Sequence, residues 1–257
     1  SLIDTIKLMK LRGPDFNNCI TRDYESKKLA LLHSRLNIID LNDRSNQPFV
    51  DGNLVLIFNG EIYNFLEIKE KLKGKYQFKT ESDTEVLLMA YKEYGEKCVD
   101  HFIGMWAFAI WDEKKKELFL SRDPFGEKPL YYFLNKKGFF FGSEIKYIRS
   151  LCNEEFTKNK ELIKKHLFLG YKSLNKSNET YYNKIYSLEN SSNFKINLDL
   201  KFIRKKYWQP KIEIKKKLSQ NDAIEGVKFH LIKSLKYRMR ADVPLAFCLS
   251  GGIDSTS

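Results

Sequence analysis

The chain has 257 residues, 42% of them hydrophobic, and a formal net charge of +12. That length holds one large domain or two smaller ones, and no stretch reaches the ~18–20 apolar residues of a membrane-spanning helix. Its four cysteines, Cys19, Cys98, Cys152 and Cys248, stand far apart, which argues against a zinc cluster or a disulfide framework and points to a reducing cytoplasm. The positive charge is mostly Lys interleaved with Asn and Ile, so no nucleic-acid role is assigned to it.

The chain opens on Ser1, without Met and without a signal-peptide pattern, so its natural N-terminus is expected upstream. Residues 12–15 (RGPD) compose a turn. Residues 29–33 read as a strand, and Arg35 just past it could fork onto a carboxylate. Residues 54–58 read as a second strand. Asn59-Gly60 alone would make a hairpin turn, yet a helical pattern at 65–72 follows instead of a strand. A strand entering a Gly-kinked turn before a helix suits exposed N–H donors for an oxyanion, with Asn59 adding its side-chain amide. Ser82-Asp83-Thr84-Glu85 is a capping box; it opens a helix to about residue 94, stopped near Gly95. Asp83 in its first turn favours the helix dipole, or anchors a substrate ammonium.

Residues 105–111 and 117–120 form a hairpin, as do 130–134 and 139–141. These runs are nearly all apolar and are expected to be buried on both faces. Arg122 and Asp123 are expected to pair and fix the loop after them. Composition shifts at 187–216, where Ser/Asn clusters give way to Lys. The expected division is a first domain at 1–190, a linker at 191–216 and the start of a second domain at 217–257. Ser219-x-x-Asp222 caps a helix over 223–239, and Pro244 leads into an expected strand. Ser250-Gly251-Gly252-Ile253-Asp254-Ser255 follows. It lacks the G-K-[ST] ending of the ordinary phosphate loop. Its glycines let backbone wrap an anion, and the Ser250 and Ser255 hydroxyls can donate. That suits a pyrophosphate leaving as a unit, with ATP cleaved to an adenylate and Asp254 helping to hold Mg²⁺.

Eight stretches in order carry a resemblance: RGPD (12–15), HSRLNIIDL (33–41), FNGEIYN (58–64), SDTEVLL (82–88), SRDPFGEKPLYY (121–132), FGSEIKYI (141–148), KYW (206–208) and LSGGIDS (249–255). Together the chain resembles the glutamine-dependent asparagine synthetases over essentially its whole length. The resemblance implies an α+β fold. It is a four-layer αββα sandwich of the N-terminal-nucleophile type, followed by the first helix and strand of an α/β nucleotide domain. It implies glutamine, aspartate and ATP as substrates, Mg²⁺, a cytoplasmic protein and a homodimer. It implies that Arg35 holds the glutamine α-carboxylate and that Glu61 and Asp83 hold its α-amino group. Asn59 and Gly60 would form the oxyanion hole, and Ser250, Gly251, Gly252, Asp254 and Ser255 would grip the pyrophosphate beside the Cys248 and Leu249 backbone.

Two departures qualify the resemblance. The family's nucleophile, an N-terminal Cys about twenty residues before RGPD, is absent, and Cys19 lies past RGPD without the free α-amine that serves as base. The chain also stops inside the pyrophosphate loop. It therefore reads as a fragment, inactive as it stands, with a gap in its sheet and poor solubility expected. The alternatives are a related ligase acting on another carboxylate (β-lactam synthetase, lasso-peptide cyclase or surface-polysaccharide amidotransferase) and a non-catalytic glutamine-binding regulatory module. Retention of Arg35, Asn59, Glu61 and Asp83 argues against a ligase that has lost glutamine hydrolysis.

Overall fold

The computed structural model describes residues 1–25, 27–170, 177–212 and 218–256, the Asp254 side chain excepted. In chain order come α1 (Leu2–Met9), β1 (Phe16–Tyr24), β2 (Lys27–Arg35), β3 (Phe49–Asp51), β4 (Leu54–Ile62), α2 (Phe65–Leu72) and α3 (Asp83–Tyr94). Then follow β5 (Gly104–Asp112), β6 (Glu117–Arg122), β7 (Tyr131–Asn135), β8 (Gly138–Gly142), α4 (Ile145–Cys152) and α5 (Lys160–Leu169). The chain closes with β9 (Tyr186–Ser187), β10 (Ser192–Asn197), β11 (Phe202–Lys206), α6 (Gln220–Arg238) and α7 (Ile253–Thr256).

One β-layer is a six-stranded antiparallel sheet in the order β11-β10-β6-β5-β4-β3. Its two faces explain the unbroken apolar runs. On β4 and β5, Leu54, Leu56, Phe58, Trp106, Phe108 and Ile110 pack under α2 and α3. Their neighbours Val55, Ala107, Ala109 and Trp111 point the other way, against Leu31, Leu130 and Phe194. Alternation places successive residues on opposite faces, and here both faces are covered. The second layer is split into a two-stranded β1-β2 sheet and a three-stranded β8-β7-β9 sheet. α4 covers the latter through Ile148, packed with Phe133 and Ile185, and α1 packs on α4 and β2. The order is helix, sheet, sheet, helix, the expected αββα sandwich.

Both expected hairpins form, β5 with β6 and β7 with β8. β8, however, is half-exposed along its whole length; its outer edge faces a cleft. α3 starts on Ser82, whose hydroxyl accepts from the Thr84 amide, and ends at Gly95 with φ +60°. Glu85 does not reach back to Ser82. It accepts from the Lys79 and Thr80 amides and the Thr80 hydroxyl, which pins the segment before the helix.

Residues 192–206 depart from the expected linker. β10 pairs with β6 and β11 with β10, so they extend the six-stranded sheet; Phe194 and Ile196 fill the inter-sheet core. Arg122 and Asp123 fix their loop separately. Arg122 donates to the carbonyls of Lys128, Leu188 and Gly126 and to Ser187, while Asp123 accepts from the amides of Phe125, Glu127, Lys128 and Trp106. α6 starts on the Ser219 cap as expected. The strand expected after Pro244 does not form, and Leu245, Phe247 and Leu249 are exposed. A strand needs a neighbour for its backbone groups, and no described segment pairs with this one.

Candidate functional site

A cleft of about 500 Å³ lies between the free edges of the split layer, lined by Ala30, Leu32 and Ser34 of β2 and by Phe139, Phe140, Phe141 and Gly142 of β8. Arg35, Asn59, Gly60, Glu61 and Asp83 line the same cleft, so the five residues expected at one site do meet.

The strand β4 builds its donors. Asn59 and Gly60 are not in a turn, because β4 continues in register with β5 through Ile62, and α2 starts only at Phe65. Gly60 is required where it stands: with φ +156°, its Cβ would lie 2.1 Å from the Met105 carbonyl oxygen. Backbone N–H groups alternate across a strand's two edges. The Phe58 and Ile62 amides turn away from β5, the first to Gln47 Oε1 at 2.6 Å and the second to Asp83 Oδ2 at 2.9 Å. The same alternation turns the Gly60 N–H to this edge, between the two filled positions. Asn59 directs its amide to the Ser143 hydroxyl at 3.0 Å.

The cleft also gathers negative charge. Asp83 is buried at the start of α3. Burial, with the neighbouring Glu61 charge adding to it, pushes its carboxyl up to about 7. Glu61 is also raised by burial, with Lys128 opposing. A bound cation would relieve both. Arg35 is buried and already engaged: its Nη1 donates to the Asn42 carbonyl and Asn46 Oδ1, and its Nη2 to the carbonyls of Ile39 and Asp40. It braces loop 39–46 at the cleft wall as well as lining it.

None of the four cysteines lines the cleft. Cys19 sits on β1, opposite Leu32. Residues 248–253 are exposed, Ser255 is half-buried, and none of them lines the cleft either. There Gly251 adopts φ +78°, and the Ser255 hydroxyl meets both the Ser250 amide and its hydroxyl. The Asp254 side chain lies outside the described residues. Among the described residues, no group of three or more His, Cys, Asp or Glu side chains could hold a metal ion, and no helix is long and apolar enough to cross a membrane.

Residues 1–208 match the glutamine amidotransferase domain family, and residues 226–257 match the asparagine synthase family. The chain belongs to the glutamine amidotransferase domain family. A Methanocaldococcus jannaschii relative bearing the name putative asparagine synthetase [glutamine-hydrolyzing] 2 is 36% identical over 98% of this chain and 51% of its own length. Asparagine synthetase [glutamine-hydrolyzing] 1 of Bacillus subtilis is 34% identical over 95% of this chain and 38% of its own. Amidase chry2 of Gibberella zeae is 31% identical over 98% of this chain and 37% of its own. The chain thus spans between about a third and a half of these relatives. The glutamine phosphoribosylpyrophosphate amidotransferase of Bacillus subtilis superposes with a TM-score of 0.57 at 19% identity, over 81% of this chain and 47% of its own. That likeness supports the amidotransferase sandwich fold.

Four cleft residues of this amidotransferase domain carry no role in the sequence reading: His33, Gln47, Lys128 and Ser143. His33, Lys128 and Ser143 lie inside stretches that carry the resemblance, but nothing local marks them. Gln47 shows only as the residue before Pro48.

Proposed function

We propose that the chain is the glutamine-hydrolysing part, and the start of the ATP-using part, of an enzyme that makes asparagine. In the overall reaction glutamine, aspartate, ATP and water give glutamate, asparagine, AMP and pyrophosphate. The observation that carries the glutamine half is the pairing of two raised carboxyls, Asp83 and Glu61, with an outward Gly60 N–H in one cleft. An α-ammonium between the carboxyls would favour the ionised form of both. The substrate α-carboxylate would sit toward Arg35. The carboxamide would then lie against Gly60 and Asn59, whose donors would take the negative charge as a thiol adds to its carbonyl carbon. Collapse expels ammonia and leaves a thioester, which water cleaves to glutamate. Since none of Cys19, Cys98, Cys152 and Cys248 lines the cleft, the thiol must be brought to it, and we propose an upstream strand between β2 and β8 as its carrier.

The second half rests on the segment from Ser250 to Ser255. Its hydroxyls and backbone would hold the pyrophosphate of ATP, with Mg²⁺ as counter-ion, while the aspartate side-chain carboxylate takes the adenylyl group. We assign the junction between the two domains to the stretch after residue 208, where the amidotransferase match ends, and a cytoplasmic homodimer belongs to the same proposal. A second reading keeps the glutamine chemistry and places the ammonia on another acceptor, since a relative of 31% identity, amidase chry2, bears a name other than asparagine synthetase.

The test uses the full-length protein with glutamine labelled with ¹⁵N in its side-chain amide, aspartate and ATP. Labelled asparagine with one pyrophosphate per turnover is expected. Ammonia release without asparagine would transfer the assignment to another acceptor. No ammonia release would sink the glutamine reading.

A further inference from the structure

β3 begins at Phe49, and its register with β4 pairs residue 49 with 56 and 51 with 54. Continued two residues back along the chain, that register would set residue 47 opposite Phe58. Pro48 intervenes, and proline has no N–H to give a ladder. The outward groups of Phe58 therefore have no strand beside them. Two side chains take the strand's place. Gln47 Oε1 accepts the Phe58 N–H at 2.6 Å, and His33 Nε2 meets the Phe58 carbonyl at 3.1 Å.

A carbonyl oxygen only accepts, so Nε2 carries the proton and the tautomer of His33 is fixed. Burial lowers the imidazole to about 4, so it stays neutral. Each clamp is tied to another wall of the cleft. Gln47 Nε2 donates to the Thr84 hydroxyl at 3.3 Å, one residue after Asp83. His33 lies on β2, two residues before Arg35. The carbonyl that His33 holds belongs to the peptide shared by Phe58 and Asn59. That peptide leads directly into Asn59 and, one peptide further on, into the Gly60 N–H, so holding it limits how far either donor can turn.

We infer that His33 and Gln47 are positioning residues for glutamine hydrolysis, a side-chain bracket that replaces the missing strand and aims the Asn59 and Gly60 donors at the oxyanion. The inference rests on the glutamine reading above. The bracket acts through the β4 backbone, which both side chains hold at Phe58. It stabilises an orientation that matters most when charge develops on the carboxamide oxygen, so its loss falls on kcat more than on KM.

The experiment measures ammonia release from glutamine by the full-length protein, with asparagine formation from free ammonium as the control for folding. His33→Leu and Gln47→Leu are each expected to lower kcat by about a hundredfold. KM for glutamine should move less than about threefold, and ammonium-dependent synthesis should persist. His33→Gln keeps a donor and Gln47→Glu keeps an acceptor, and each should recover most of the loss. Should His33→Leu fail to fold, Gln47→Leu applies the same test from the other side of the strand. Retained kcat in the leucine variants would overturn the inference, as would equal damage to both activities without rescue. Absence of ammonia release by the unsubstituted protein would sink the glutamine reading, and this inference with it.

Discussion

Asp83 does two opposed things. Its folded carboxyl titrates at about 7, above the ordinary 3.8. The folded state therefore holds the proton more tightly than the unfolded state, and the stability this contributes is complete below about pH 4 and lost as pH rises through 7. Asp83→Asn keeps an oxygen for the Ile62 amide and removes that loss. It should raise the melting temperature at pH 8 by several degrees and leave it unchanged at pH 4; thermal scans at the two pH values decide. The same substitution removes a proposed ammonium ligand, so glutamine affinity should fall about a hundredfold, the scale of truncating a buried charge partner. In the unsubstituted full-length protein, glutamine binding should draw the Asp83 carboxyl down and release a proton between about pH 6 and 7. Calorimetry in buffers of different ionisation enthalpy would detect it. Equal observed heats in all the buffers, meaning no net proton released, would separate Asp83 from the ammonium.

At the scale of elements, the loop after β6 shows how one half-buried cation, Arg122, replaces secondary structure. Arg122 ends four hydrogen bonds on Lys128, Gly126, Ser187 and Leu188, joining β6 to the segment before β10. Arg122→Met should cost about 3 kcal/mol, since three carbonyls lose a charged donor. Arg122→Lys should recover little, because one ammonium cannot span that fork. Urea midpoints at constant slope would measure both, and a full recovery by Lys would show that charge alone suffices. The same elements mark what the sequence discloses. Both hairpins, α2 and α3 are legible because their periodicity and caps are local. The continuation of β4 through Asn59 and Gly60 is not, since only pairing with β5 holds a glycine there extended. β10 and β11 hide in a polar, Lys-rich stretch because β11 is exposed along its length and has one neighbour. Arg35, Asn59, Glu61 and Asp83 are readable from motif order. Gln47 and His33 are not, because their task exists only where β3 starts too late to reach Phe58.

For the whole molecule, the connection between the sandwich and residues 218–256 is narrow. α6 has 19 residues and none of them is buried; the Arg238 guanidinium at its end lies 4.9 Å from the Tyr63 ring centroid. Residues just past that end add the polar anchors. Arg240 forks onto both carboxylate oxygens of Glu67 at 2.6 Å and donates to the Tyr63 carbonyl at 2.6 Å. The Asp242 amide donates to the Ile38 carbonyl at 2.9 Å, and its carboxylate accepts from the Asp40 amide at 2.7 Å. These anchors flank the cleft. Tyr63 follows β4, and Asp40 belongs to the loop that Arg35 braces. The four of these bonds that involve a charged group contribute on the order of 1.5–3 kcal/mol each at most, and they weaken with salt where exposed. Arg240→Ala with Asp242→Ala should therefore free the segment and leave the sandwich intact. Exposed Cys248 and half-buried Cys19 offer natural labelling positions. With Cys152→Ser, nitroxides on this pair should give one narrow distance distribution in the unsubstituted anchors and a broad one in the double variant. An unchanged narrow distribution would mean that contacts other than these anchors hold α6 to the sandwich, and the polar strap would lose its structural role.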